Sequence, residues 1–116
     1  PDALTRWISQ PTTHDLSGYQ HVRDMYVALI SSGVVTLTIN IDGTDYTYTI
    51  ASTAGAQRKT YVPLQAVKGK VYRYYLTATA AFRLFQRDCE VRAKAWGDPG
   101  PYRIVKPFGD FSRGEV

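Results

Sequence analysis

The sequence predicts an all-β domain, an antiparallel β-sandwich or jelly roll of about six to eight strands, with an irregular Pro/Gly-rich C-terminal arm. Three observations carry that expectation. Residues 34–50 alternate strictly between apolar and polar side chains. The composition leans to β-formers, with nine Tyr and many Thr and Val but one Met. Turn residues recur at short intervals and divide the chain into short runs. At 116 residues the chain is one domain large enough to close a single core, and 44% apolar with 21% charged residues is ordinary for a globular chain.

Residues 1–18 form an N-terminal segment in which "RWIS" suits a short first strand and "QPTTHDLSG" a loop. In "YQHVRDMYVALIS" (19–31), Met25, Val27 and Leu29 share one face of a strand and Asp24, Tyr26 and Ala28 the other. Val22, Met25 and Leu29 fit helical spacing equally, so this segment alone leaves both readings open. "VVTLTINIDGTDYTYTI" (34–50) is a hairpin. Val35, Leu37, Ile39 and Ile41 oppose Thr36, Thr38 and Asn40, and Asp42-Gly43 is the tight turn that a right-twisted ribbon favours. On its return, Tyr46, Tyr48 and Ile50 share a side.

"STAGAQ" (52–57) reads as a loop and "RKTYVPL" as a short strand, with Pro63 marking an edge or an end. "QAVKG" then turns the chain again. In "KVYRYYLTATA" (70–80), Tyr72, Tyr74 and Leu76 oppose Val71, Arg73 and Tyr75. The run 82–96 changes phase: Phe82 and Leu84 are even, whereas Cys89, Val91, Ala93 and Ala95 are odd, so a bulge or corner is expected between Phe85 and Arg87. The domain proper thus covers 19–96, and 97–116 forms an arm. In that arm Gly97, Pro99, Gly100, Pro101, Pro107 and Gly109 break up a run that still carries Tyr102, Ile104, Val105 and Phe108.

Chemistry is sparse. His14 and His21 lack a third ligand at metal-like spacing, and Cys89 sits on an apolar strand face as a buried thiol. The "DGTD" run (42–45) has too few carboxylates for a calcium loop, and Leu64 stands where a phosphate loop before Lys70 would need glycine. Asp88 and Glu90 read as wet surface beside Arg92 rather than as paired catalytic acids. The expectation is therefore a non-enzyme without cofactor or metal. The net charge is +4, but fourteen basic residues are spread among ten acids, which argues against a nucleic-acid stripe. No apolar run, that around Tyr26–Ile30 included, is long enough to span a membrane as a helix. A single cysteine allows no internal disulfide and tolerates a reducing compartment. No signal peptide stands at the start, and a first residue other than Met suggests a lost initiator or a piece cut from a longer protein.

The aromatic residues are the remaining candidates. Tyr46, Tyr48, Tyr72, Tyr74 and Tyr75 would serve either as a sugar-stacking platform or as cross-strand pairs within a sheet. Trp96, Tyr102, Ile104, Val105 and Phe108 would serve as anchors of an interface with a neighbour, or would cover the domain's own core.

From Tyr19 to Phe108, the order of elements resembles the β-sandwich domains of tailed-bacteriophage virion proteins, in tails or head–tail connections. The residues that carry it are "SSGVVTLTINIDGTDYTYTI", "RKTYVPL" and "GKVYRYYLTATAAFRLFQRDCEVRAKAWG", with the closing "GPYRIVKPFGD". The resemblance implies a structural, non-catalytic subunit of the virion, assembled in the host cytoplasm from copies of itself and other virion proteins. The alternative is a jelly-roll module that binds a carbohydrate or receptor, such as a host-surface glycan.

Overall fold

The computed structural model describes residues 4–9, 11–14, 16 and 18–107. Its regular structure is eight antiparallel strands: β1 (Leu4–Ile8), β2 (Gln20–Ser31), β3 (Val35–Ile41), β4 (Thr44–Ile50), β5 (Arg58–Gly69), β6 (Tyr72–Leu84), β7 (Glu90–Ala95) and β8 (Arg103–Val105). The strand reading of 19–31 is the one realised. The phase change falls on a single 3-10 turn, Gln86–Asp88, which rotates the chain so that Cys89 and Val91 return to the core.

Pairing resolves into two four-stranded layers, β4-β3-β6-β1 and β5-β2-β7-β8, which together make the sandwich. β2 belongs to both. Its body lies between β5 and β7, while its last residues, Leu29–Ser31, pair with Phe82–Leu84 of β6. Between the layers, Leu37 and Ile39 of β3 and Leu76 of β6 join one core with Met25 and Val27 of β2, Val62 of β5 and Val91 of β7. Alternation explains the sidedness: in β3, Val35, Leu37, Ile39 and Ile41 are buried and the residues between them are half-buried.

The hairpin turn is as expected. Asp42 and Gly43 have φ of 51° and 94°, the left-handed values a two-residue turn requires. Asp42 also reaches across to the corner between β5 and β6. Its carboxylate accepts from the backbone N–H groups of Lys70 (3.0 Å) and Val71 (2.9 Å), and its own N–H donates to the Val71 carbonyl (3.1 Å).

Two expectations need correction. Of the two readings of Pro63 the edge is realised and not the end, and "QAVKG" is not a turn: β5 runs on to Gly69. It can do so because β5 pairs only with β2 and so is an edge, where proline is tolerated, and because the register shift beside it, with residues 64–66 of β5 set against Arg23 alone, absorbs the irregularity. The C-terminal arm is also not wholly irregular, since Arg103–Val105 adds to β7 as β8 and Pro107 is buried.

Inside the sandwich lies a polar cluster. His14, 2% exposed, has its Nδ1 2.8 Å from Gln20 Oε1 and its Nε2 2.6 Å from the Tyr74 hydroxyl, with its ring 4.7 Å from that of Tyr72. Each ring nitrogen thus has a partner, as a buried imidazole demands. Burial pushes the Tyr74 phenol well above its ordinary pKa, so it stays a neutral hydrogen-bonding group.

Candidate functional site

The outer face of β5-β2-β7-β8 carries the densest array of exposed aromatic and cationic groups among the described residues. Register places Lys68 of β5 and Lys94 of β7 directly opposite His21 of β2. Val22 and Ala93 beside them point into the core, so this row of three points outward. Arg23 joins it because it occupies the β2 bulge.

The arm completes the array. Gly97, at φ 84°, turns the chain after Trp96, and Asp98 accepts the Gly100 N–H at 2.8 Å, so the arm doubles back over β7. That places the Tyr102 hydroxyl 3.2 Å from His21 Nδ1, while the indole of Trp96 meets the His21 ring edge-on with centroids 4.9 Å apart. Each ring also faces a cation. The Lys68 ammonium is 4.5 Å from the Trp96 centroid and 4.9 Å from that of Tyr19, and the Lys94 ammonium is 4.6 Å from that of Tyr102. Trp96 and Tyr19 remain about half exposed, at 49% and 54%.

Carboxylates on this face are already engaged. Asp24 is fully buried and takes a bidentate pair of bonds from Arg92, at 2.7 and 2.5 Å, with a third from the Tyr61 hydroxyl at 3.0 Å. Burial raises its pKa, but the bonds from Arg92 and Tyr61 outweigh it and hold the carboxyl below its ordinary range. Lys59 and Lys106 both contact Glu90, whose pKa is lowered, chiefly by the Lys59 bond. Among the described residues, neither Lys68 nor Lys94 has a carboxylate within 4.0 Å, so none of these residues pairs with the cations of the aromatic array.

Of the expected anchors, Trp96 and Tyr102 come together here. Ile104 lies opposite Arg92 on the same face, 65% exposed. Val105 lies opposite Val91, half-buried on the inner side, so it helps cover the domain's own core. Phe108 lies outside the described residues.

The expected aromatic surface does not form. Tyr72 and Tyr74 are fully buried, because β6 is flanked by β3 and β1 and turns its even positions into the core. Tyr46 and Tyr48 face the inner side at the β4 edge, 37% exposed and half-buried respectively, and Tyr75 lies half-buried on the opposite face beneath the Arg73 guanidinium. Cys89 is buried as expected, its thiol pushed up to about 12 mainly by burial. Lys68, Lys94, Arg23 and Tyr19 do not stand out in the sequence, and His21 stands out there only as a metal ligand lacking partners. The available signal was the placing of Arg92 and Lys94 four and two residues before Trp96, on the outward positions of one strand.

Comparison with known protein families, curated proteins and solved structures finds no match for this chain. The reading of the site therefore rests on its geometry. Exposed indole and phenol surface with fixed cations over it suits a partner surface that offers apolar and acidic groups together.

Proposed function

We propose that this chain is a non-enzymatic structural component of a tailed-phage virion, in the tail or the head–tail connection, and that it acts through contacts with neighbouring subunits. The single observation that carries the contact role is the Trp96–His21–Tyr102 array. Half-exposed Trp and Tyr beside Arg is the composition of interface anchors, and a monomer gains nothing from leaving an indole in water. The virion setting comes from the resemblance in the order and wording of the strands. The glycan reading is disfavoured at this array, because a sugar stacking on Trp96 would have to displace the Lys68 ammonium from the ring.

The test is mass spectrometry of purified tailed-phage particles from cells that encode this sequence, with and without Trp96→Ala and Tyr102→Ala. The chain should be present in stoichiometric amount in wild-type particles and depleted in those of the double variant, which itself remains folded. Absence of the wild-type chain from particles, or selective glycan capture on an array by the wild-type chain alone, would overturn the proposal.

A further inference from the structure

The two layers end in four edge strands, and three of them are guarded. β5 carries Pro63, a bulge just after it at residues 64–66 and the cations Arg58, Lys59 and Lys68. β8 has three residues, Arg103 among them, between Pro101 and Pro107. β1 has five residues, with Arg6 and a register shift at its start. Prolines, cations, bulges and shortness are the devices by which an edge resists pairing with another chain.

β4 has none of them. Its seven residues, TDYTYTI, contain no proline and no cation, and they pair with β3 in unbroken register from Thr44 to Ile50. The one charge, Asp45, is tied down by Asn40 at 2.8 Å. Among the described residues no strand pairs with its other side.

We propose that β4 is a homotypic docking edge, through which two copies of this chain pair antiparallel about a two-fold axis at Thr47. The backbone supports that centre. In a two-residue hairpin the residues flanking the turn, Ile41 and Thr44, bond each other, and bonding then alternates along the ladder. Asp45, Thr47 and Thr49 consequently turn their N–H and C=O groups to the open side.

An axis at Thr47 pairs the whole strand and sets Thr47 against Thr47 of the second copy and Asp45 against its Thr49, both as bonded pairs. No like charges meet. Tyr46 falls opposite Tyr48 of the second copy on the inner side, where Tyr46 is 37% exposed at the lip of the sandwich. Aromatic and Thr–Thr pairs are among the favourable cross-strand pairs, so the strand complements itself. Closure about a two-fold axis also satisfies the edge in one step, without an open-ended series of additions.

The experiment is sedimentation of the whole chain over a concentration series, together with residue-resolved amide exchange. The wild type should show a monomer–dimer equilibrium, with exchange at Asp45, Thr47 and Thr49 slowing as concentration rises. Thr47 is exposed and its amide is free of β3, so Thr47→Lys and Thr47→Pro should keep the fold. Thr47→Lys sets two ammonium groups opposite each other and should weaken dimerisation on the order of tenfold. Thr49→Lys places a cation opposite Asp45 twice and should leave the dimer as tight or tighter. Equal weakening by Thr47→Lys and Thr49→Lys would refute the register. A strictly monomeric wild type, or growth beyond the dimer, would refute the proposal. Neither result bears on the Trp96 array, whose test is presence in particles.

Discussion

His14 and His21 belong to the same short stretch of chain and meet opposite fates. The ring of His14 is enclosed, with a side-chain partner on each nitrogen and tyrosines around it. That of His21 is half-buried on an outer face, bonded once to Tyr102 and leaning on Trp96. The difference separates what a polar side chain does inside this sandwich from what it does outside. Within, the groups satisfy each other and fix the packing; without, they order a surface whose Lys68 and Lys94 have no carboxylate partner among the described residues.

His14 is the more sensitive of the two to substitution. His14→Leu should cost about 2–4 kcal/mol in chemical denaturation, because Gln20 and Tyr74 lose a buried partner. His14 also has φ of 55°, a left-handed value that leucine resists, which adds to the loss. Tyr74→Phe keeps the packing and removes only the hydroxyl, so a smaller cost of about 1–2 kcal/mol is expected in the same measurement.

Asp24 sharpens the contrast, since it is buried yet belongs to the outer face. Its pKa is depressed in the folded state, so the stabilisation is complete above the ordinary carboxylate value of 3.8 and is lost as pH falls through the lower folded value. Asp24→Asn should lower stability at neutral pH and flatten the acid limb of the stability–pH profile below about pH 4. An unchanged acid limb would mean that other carboxylates set it. At the bottom of the scale, His21→Ala should change stability by no more than about 0.5 kcal/mol, as a half-buried surface group with one long hydrogen bond should.

The fold was legible where one side of a strand is wet. Val35–Ile50 announces its hairpin by alternation and by Asp42-Gly43, and the change of phase between Leu84 and Cys89 marks the 3-10 turn. It was less legible where strands differ in their neighbours. Nothing in the spacing of Tyr46, Tyr48, Tyr72 and Tyr74 tells an edge strand from a central one, yet that decides which of them are buried. Pro63 fitted an edge or a strand end, and only the pairing of β5 with β2 alone, between residues far apart in sequence, decides for the edge.

The candidate site was half legible for the same reason. Trp96 and Tyr102 stand out as isolated aromatics after the alternation stops. Their cations come from β5, β2 and β7, brought into one row by pairing between residues tens of positions apart. Asp24 gave no sign that Arg92 and Tyr61 would close over it.

The Asp42 contacts bear on the order of events during folding. A hairpin such as β3–β4 forms on a timescale of ~1–10 μs, whereas joining two sheets must close long loops and is slower. Once turned, Asp42 presents its carboxylate as a fixed landing point for the amides of Lys70 and Val71, so the corner that carries the chain from one layer to the other docks on a structure already made. We infer that this clasp forms early, and that Asp42→Ala should slow refolding more than it speeds unfolding. Stopped-flow kinetics in which the variant refolds at the wild-type rate and only unfolds faster would place the clasp late instead.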